Sequence, residues 1–407
     1  MSILWIASAA GGLAAGACLV GALVTRPPAN LLALVCAGAA IGAAATASMG
    51  LVAEYGTPLA GIAGFVFGCA AFAGGYRAAA SMLLDALRPS HVRPSAADAS
   101  DGSIAVILSD AEPFRYSPQH TAARLERLER SGSVRLTPGL LPMIFLAERM
   151  RYRAVRGPHP ARYVVEAVAE AVRQRLARSA PPTSVGVAYV DGSPRLADLL
   201  ARSGPQLAVV LELGPAGSLP FVEVCAEAER AATNPTNLHL VRPSIWRDQR
   251  LAQRFADRIC ERVPHDERQS TGVVLLGAGM PDEWRSASTA WEEDENYFLT
   301  RAVLLLQEAG FSQNMVRPAW VEWQTPSLSE AVRHLAAIGS ARIVVAPATI
   351  VQPDLSTLID LEREMRDARI PDHIRTTLLP PWGDDAVLVD VVASRFEDAL
   401  RQVAHGS

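Results

Sequence analysis

The chain has 407 residues, half of them hydrophobic, with 38 basic side chains against 42 acidic ones and a formal net charge of −4. That balance argues against nucleic acid as a main partner, and the length allows two or three domains. The five cysteines, Cys18, Cys36, Cys69, Cys225 and Cys260, form no C-x-x-C pair, so neither a zinc ribbon nor a thioredoxin motif is present and reduced thiols fit.

No charged side chain occurs from Met1 to Thr25, between Arg26 and Glu54, or between Glu54 and Arg77, which leaves uncharged stretches of 25, 27 and 22 residues. About 20 apolar residues span a bilayer as a helix. The spacing therefore predicts three transmembrane helices, roughly 3–25, 30–52 and 57–80. A cleaved signal peptide fits less well, because no Lys or Arg precedes the first run and two more runs follow it. Buried helices of a soluble protein would lack a solvent-facing side. Gly12 and Gly16, Gly38 and Gly42, and Gly61, Gly64 and Gly68 stand at or near small-xxx-small spacing, which lets helices approach closely in lipid or form a homo-oligomer. Arg26 falls in the first loop and Arg77, Arg88 and Arg93 at or beyond the third span, whereas Glu54 lies in the second loop. Positive residues favour the cytoplasmic side. The expectation is a multi-pass protein of a bacterial inner membrane with a cytoplasmic soluble part. Arginine carries every basic charge, as a GC-rich genome would give.

After this anchor, 1–88, the stretch 89–102 is rich in Pro, Ser, Ala and Asp without apolar periodicity and reads as a linker. Strands are predicted at 103–109, 184–190, 206–213, 271–278, 314–323 and 341–349. Amphipathic helices are predicted at 161–178, 248–263 and 327–339, the last opening on a Ser cap and closing at a Gly. Strands alternating with helices give βαβ units and parallel sheets. The sequence also repeats itself. "VILSDAEP" (106–113) matches "VLLGAGMP" (274–281), and "SPRLADLL" then "LAVVLELG" echoes "TPSLSEAV" then "RIVVAPAT". The expected fold is therefore α/β, with two similar Rossmann-like halves, 103–245 and 246–407, facing each other across a cleft. Ligands of such sheets bind outside the carboxyl ends of the strands.

One segment, "WVEWQTPSLSEAVRHLAAIGSARIVVAPATIVQPDLSTLIDLEREM" (320–365), resembles the C-terminal half of ferrochelatases, the class II tetrapyrrole chelatases. "LLGAGMP" resembles that family's strand ending in a His-Gly-x-Pro turn, and 245–259 the helix before it. The resemblance implies a chelatase-type fold, a porphyrin or haem ligand, and Fe2+ as the metal inserted. Insertion needs a group that takes the metal and accepts pyrrole protons, a task suited to neutral imidazole with a carboxylate beside it. The family's His falls on Ala278 and its Glu on Ser356, so neither catalytic group is present. The family's neighbouring His corresponds to Asp354, and its later Glu to Asp360. The resemblance makes Gly279, Pro281, Trp320, Trp323, Asp354 and Asp360 the candidates for a tetrapyrrole cleft, with no assigned metal ligand.

Other acids could take over a lost metal site: Asp110, Glu112 and Glu212 at strand ends, and Asp282 and Glu283 after the turn. Acids in such places more commonly cap helices. "WEEDENY" (291–297) reads as the opening of a helix whose acids complement its dipole. Trp284, Trp291, Trp320 and Trp323 could stack on a macrocycle or fill core. Three functions are open: a disabled chelatase that binds or hands over a tetrapyrrole at the membrane, an active ferrochelatase with a rearranged site, or a structural subunit of a membrane complex. The implied partners are membrane lipid and a tetrapyrrole.

Overall fold

The computed structural model describes residues 3–25, 29–87, 103–179, 183–203, 207–231 and 239–406. The linker expected at 89–102, and with it Arg88 and Arg93, lies outside them, as does Arg26. The chain divides into two compact units, one of Met1–His91 with Tyr116–Ala154, the other of Val92–Arg115 with Val155–Ser407.

The first unit opens with α1 (Ile3–Val24), α2 (Ala29–Tyr55) and α3 (Pro58–Ser81), followed by α4 (Leu83–Leu87). The first three are long and apolar enough to cross a membrane. Glycine sets how closely α1 and α3 meet. A Cβ on Gly16 would stand 2.2 Å from the Phe72 carbonyl oxygen, and one on Gly75 2.2 Å from that of Leu13. Two backbones are thus in direct contact, as small-residue spacing allows. Gly38 and Gly42 on α2 have no such neighbour. The same unit holds α5 (Pro118–Arg130) and α6 (Leu141–Ala154), neither expected from the sequence. Ser117 caps α5 by accepting from the His120 amide, with Pro118 in the first turn where its missing N–H costs nothing. On α6, Leu141, Phe145 and Tyr152 are buried. Arg149 Nη1 donates to the carbonyls of Ala22 (3.0 Å) and Thr25 (2.7 Å), and the Tyr116 hydroxyl to that of Val24 (2.9 Å). These are carbonyls that a helix end leaves without partners. Tyr76 of α3 donates to the Gly139 carbonyl at 3.0 Å.

The second unit is α/β. Its first half contains β1 (Ser103–Ser109), α7 (Ala161–Ser179), β2 (Ser184–Tyr189), α8 (Leu196–Ser203), β3 (Leu207–Glu212), α9 (Leu219–Ala231) and β4 (His239–Val241). Helix α10 (Gln249–Cys260) leads to the second half: β5 (Thr271–Gly277), α11 (Thr289–Glu308), β6 (Val316–Trp320), α12 (Leu328–Ala337), β7 (Arg342–Pro347), α13 (Leu361–Asp367), β8 (Arg375–Leu378) and α14 (Ala386–Gly406). Each half has a parallel four-stranded sheet, ordered β2-β1-β3-β4 and β6-β5-β7-β8. The two orders are the same, so the repeat read in the sequence is a repeat of topology. It extends to single hydrogen bonds. The Tyr189 amide donates to the Pro194 carbonyl as that of Trp320 does to Pro326. Trp246 Nε1 donates to the Leu213 carbonyl (3.1 Å) as Trp382 Nε1 does to that of Ala348 (2.6 Å). The short edge strand β8 was not expected from the sequence, because four residues carry no periodicity.

One apolar core runs through both halves. It takes Ile107 and Leu211 from the first sheet, Leu275 and Val344 from the second, and Val168, Phe255, Phe298 and Phe396 from the helices. The rings of Trp246 and Trp382 meet edge to face at 6.0 Å within it. Burying a side chain of this size contributes about 1.5–3 kcal/mol. The halves are therefore fused along their helices, and the loops beyond the strand ends are left to form a site.

Candidate functional site

The turn after β5 is built on Gly279, which has φ +78. A Cβ there would lie 2.1 Å from the Glu322 carbonyl oxygen and 3.3 Å from Trp320 Cβ. Glycine thus meets two demands, a left-handed backbone and a close approach. The Val321 amide donates to the Gly277 carbonyl at 3.1 Å, so the loop after β6 lies along the loop after β5. Ala278 lies at that bend, half-buried, and presents only a methyl group. Pro281 is buried and opens the short 3-10 turn Asp282–Trp284, whose two acids are exposed.

Beneath the turn lies Glu295 of α11, 4% exposed. Trp320 Nε1 donates to its Oε2 at 3.1 Å and Thr349 Oγ1 to its Oε1 at 2.9 Å. The amides of Ala278 and Gly279 also bond it. Burial holds its carboxyl above the ordinary carboxylate range, and these hydrogen bonds pull it back down. One carboxylate thus ties the ends of β5, β6 and β7 together. Its neighbour Asp294, 2% exposed, accepts from Arg247 Nε (2.6 Å), the Ala216 amide (3.2 Å) and Ser244 Oγ. The acids of "WEEDENY" were expected to complement a helix dipole. Instead two of them are buried anchors, because they fall on the face of α11 that also buries Phe298, Leu299 and Ala302.

Ser356 is buried in a single π-turn, Ser356–Asp360, and its hydroxyl donates to Glu322 Oε1 at 3.1 Å. Turns of this kind are rare and occur frequently at functional sites. Asp354 opens the segment. It accepts from the Thr357 amide at 2.7 Å, and its own amide donates to Thr357 Oγ1 at 2.8 Å. Asp354 thus caps the π-turn. Asp360 ends the π-turn. Glu364, one turn further on, is held above the ordinary range by burial, with the charges of Asp360, Asp367 and Glu322 adding to the rise. Glu322 meets both Gly279, through its carbonyl oxygen, and Ser356, through its carboxylate, and Trp323 is left 43% exposed beside it with φ +67.

From the first half, Gln352 Nε2 donates to Asp110 Oδ1 at 2.8 Å, and the Leu355 amide to Glu112 Oε2 at 2.7 Å. The segment before the π-turn is thereby fastened to the end of β1. His159, fully buried, has Nε2 3.1 Å from the same Glu112 oxygen, while its Nδ1 accepts from the Ala161 amide. Glu212 at the end of β3 accepts from the Gly217 and Ser218 amides at 3.2 and 3.3 Å and from Ser218 Oγ. Burial pushes its carboxyl up to about 8 against those bonds, and Asp110 adds to the rise. Glu112 and Glu212 thus hold backbone, as caps do. Among the described residues no three His, Cys, Asp or Glu side chains converge as a metal site. Trp291 packs on the loop after β3, 3.6 Å from where a Gly214 Cβ would stand, and Trp284 is half-buried.

Glu112 was a candidate from the sequence as an acid at a strand end, whereas Glu295, Glu322 and His159 were not singled out as site residues there. Of the three missed, Glu295 left a signal there: it lies three and four residues before Phe298 and Leu299, on the stripe that helical periodicity buries.

The CbiX family model matches residues 292–399. A ferrochelatase of Rippkaea orientalis is 24% identical over 273 residues, covering 62% of this chain and 68% of its own. A coproporphyrin III ferrochelatase of Nocardia farcinica is 28% identical over 156 residues, covering 35% and 44%. Among solved structures, SirB from Bacillus subtilis with Fe3+ aligns at a TM-score of 0.49 and 14% identity, over 75% of this chain and 98% of that one.

Proposed function

We propose that this chain, a ferrochelatase-type class II chelatase by sequence, binds a tetrapyrrole without metallating it, at the face of the membrane that its N-terminal helices cross. One observation carries the reading. The positions that the resemblance assigns to the metal-binding imidazole and its carboxylate are Ala278 and Ser356, while the frame around them is built in full. Gly279 makes its close approach, Glu295 ties three strand ends together, and the π-turn holds Ser356 against Glu322. A methyl group offers nothing to a metal ion, and an alcohol is a poor ligand for divalent iron.

Trp323, Gly279, Pro281 and Asp360 are the residues we assign to the tetrapyrrole face. The exposed indole of Trp323 offers an apolar plane, and aromatic rings favour offset stacking on one another. A porphyrin is flat, apolar and partitions into lipid, so a membrane-tethered receiver could take it up, shield it and pass it on. The α/β unit would lie on the cytoplasmic side of a bacterial inner membrane.

The test restores the missing groups. Full-length Ala278→His/Ser356→Glu is assayed with a porphyrin and Fe2+ beside the unaltered chain. The reading expects an inactive natural chain and metal insertion by the double variant. Insertion by the unaltered chain would sink it and establish a rearranged active site. Silence from both, together with the absence of porphyrin binding, would leave a structural role.

A further inference from the structure

We infer that α6 lies in the lipid headgroup layer, with the face of Leu140, Met143, Ala147 and Met150 turned into an anionic bilayer surface. The inference rests on the reading that α1–α3 cross that bilayer. Helix α6 has two unlike sides. Its buried side holds Leu141, Phe145, Arg149 and Tyr152. Its other side leaves Met143 51% and Met150 52% exposed with Ala147 between them, and Leu140, in the 3-10 turn that leads into the helix, is 59% exposed. Spaced three, seven and ten residues from Leu140, these form one helical stripe. A soluble surface seldom lines up large apolar side chains in this way.

Position identifies what covers the stripe. Arg149 bonds the carbonyls of Ala22 and Thr25, and Tyr116 that of Val24, so α6 is pinned to the last turn of α1. Gly139, just before α6, takes a hydrogen bond from Tyr76 near the end of α3. Helices α1 and α3 run the same way through a three-span bundle, so both contacts fall at one boundary. A helix held at that depth meets headgroups and the first acyl carbons. Charge points to the same partner. Tyr116–Ala154 carries seven arginines, at 124, 127, 130, 135, 149, 151 and 153, against three glutamates. Arg130, Arg135 and Arg153 are exposed. An apolar stripe flanked by arginine is the pattern of an interfacial helix, and basic residues near an anionic surface are attracted to it.

The test uses full-length protein in nanodiscs containing phosphatidylglycerol. Single-cysteine forms carry a nitroxide at Met143→Cys, Met150→Cys, native Cys36 on α2, or Tyr163→Cys on the α/β unit. Collision with a water-soluble nickel chelate is expected to fall severalfold at 143 and 150 relative to 163, with oxygen collision rising towards that at 36. Labels at 143 and 150 that match 163 while 36 stays in lipid would overturn the inference alone. A water-accessible 36 would overturn the spans and the inference together. The unaltered chain gives a second measurement that needs no substitution. Photo-crosslinking with diazirine-bearing phosphatidylglycerol should tag residues 140–150, and tags confined to α1–α3 would overturn the inference.

Discussion

Gly279→Ala tests how the site's turn is built, and Gly339→Ala is its internal control. Both glycines are left-handed, with φ +78 and +92, so alanine at either loses about 1–2 kcal/mol in backbone conformation. Their surroundings differ. A Cβ at 339 meets nothing within 4 Å, whereas one at 279 would lie 2.1 Å from the Glu322 carbonyl oxygen. That oxygen belongs to backbone and cannot rotate away. The loops after β5 and β6 must separate, breaking the 3.4 Å bond from the Glu322 amide to the Ala278 carbonyl. Overpacking of this kind costs about 1–3 kcal/mol. Gly279→Ala should therefore lose about 2–5 kcal/mol and Gly339→Ala about 1–2 kcal/mol. Denaturant unfolding of the full-length protein in micelles, followed by tryptophan fluorescence, gives both numbers. Equal losses would refute the close approach on which the site's shape depends.

Glu295→Ala would orphan the half-buried Trp320 Nε1 and two backbone amides, at about 1–3 kcal/mol for each donor left unpaired. A loss of about 3 kcal/mol or more is expected, against almost none for the exposed Glu293→Ala; equal losses would show that the carboxylate does not tie the strands. Glu212 gives a pH signature. Its folded value of about 8 stands above the ordinary 4.5, so between them the native state holds a proton that the unfolded chain has released. Its contribution to stability is full below 4.5 and is lost as pH rises to about 8. Glu212→Gln, which keeps an oxygen for the Gly217 and Ser218 amides, should flatten the fall in melting temperature across that window. An unchanged slope would assign the fall to other groups.

Much of the fold was legible in the sequence because the soluble part repeats itself and its inner strands are long apolar runs. The same property gave three charge-free spans. Elements whose burial depends on distant partners were not legible. Helix α6 reads as a mixed sequence until Arg149 is seen bonding the end of α1, and β8 is too short to show a period. The site divides along the same line. Ala278 and Ser356 could be located by matching motifs, since a missing imidazole is visible in letters. The roles of Glu112, Asp294 and Glu295 could not, because an acid at a strand end and an acid buried under one look alike until the neighbouring loop is in place.

The most direct measurement is a spectroscopic titration of full-length protein in micelles with a free-base porphyrin, repeated with Trp323→Ala. Tetrapyrrole binding at the strand ends requires a shifted, saturable Soret band at micromolar protein, weakened by the substitution. A Soret band that stays at its protein-free position over that range would contradict it.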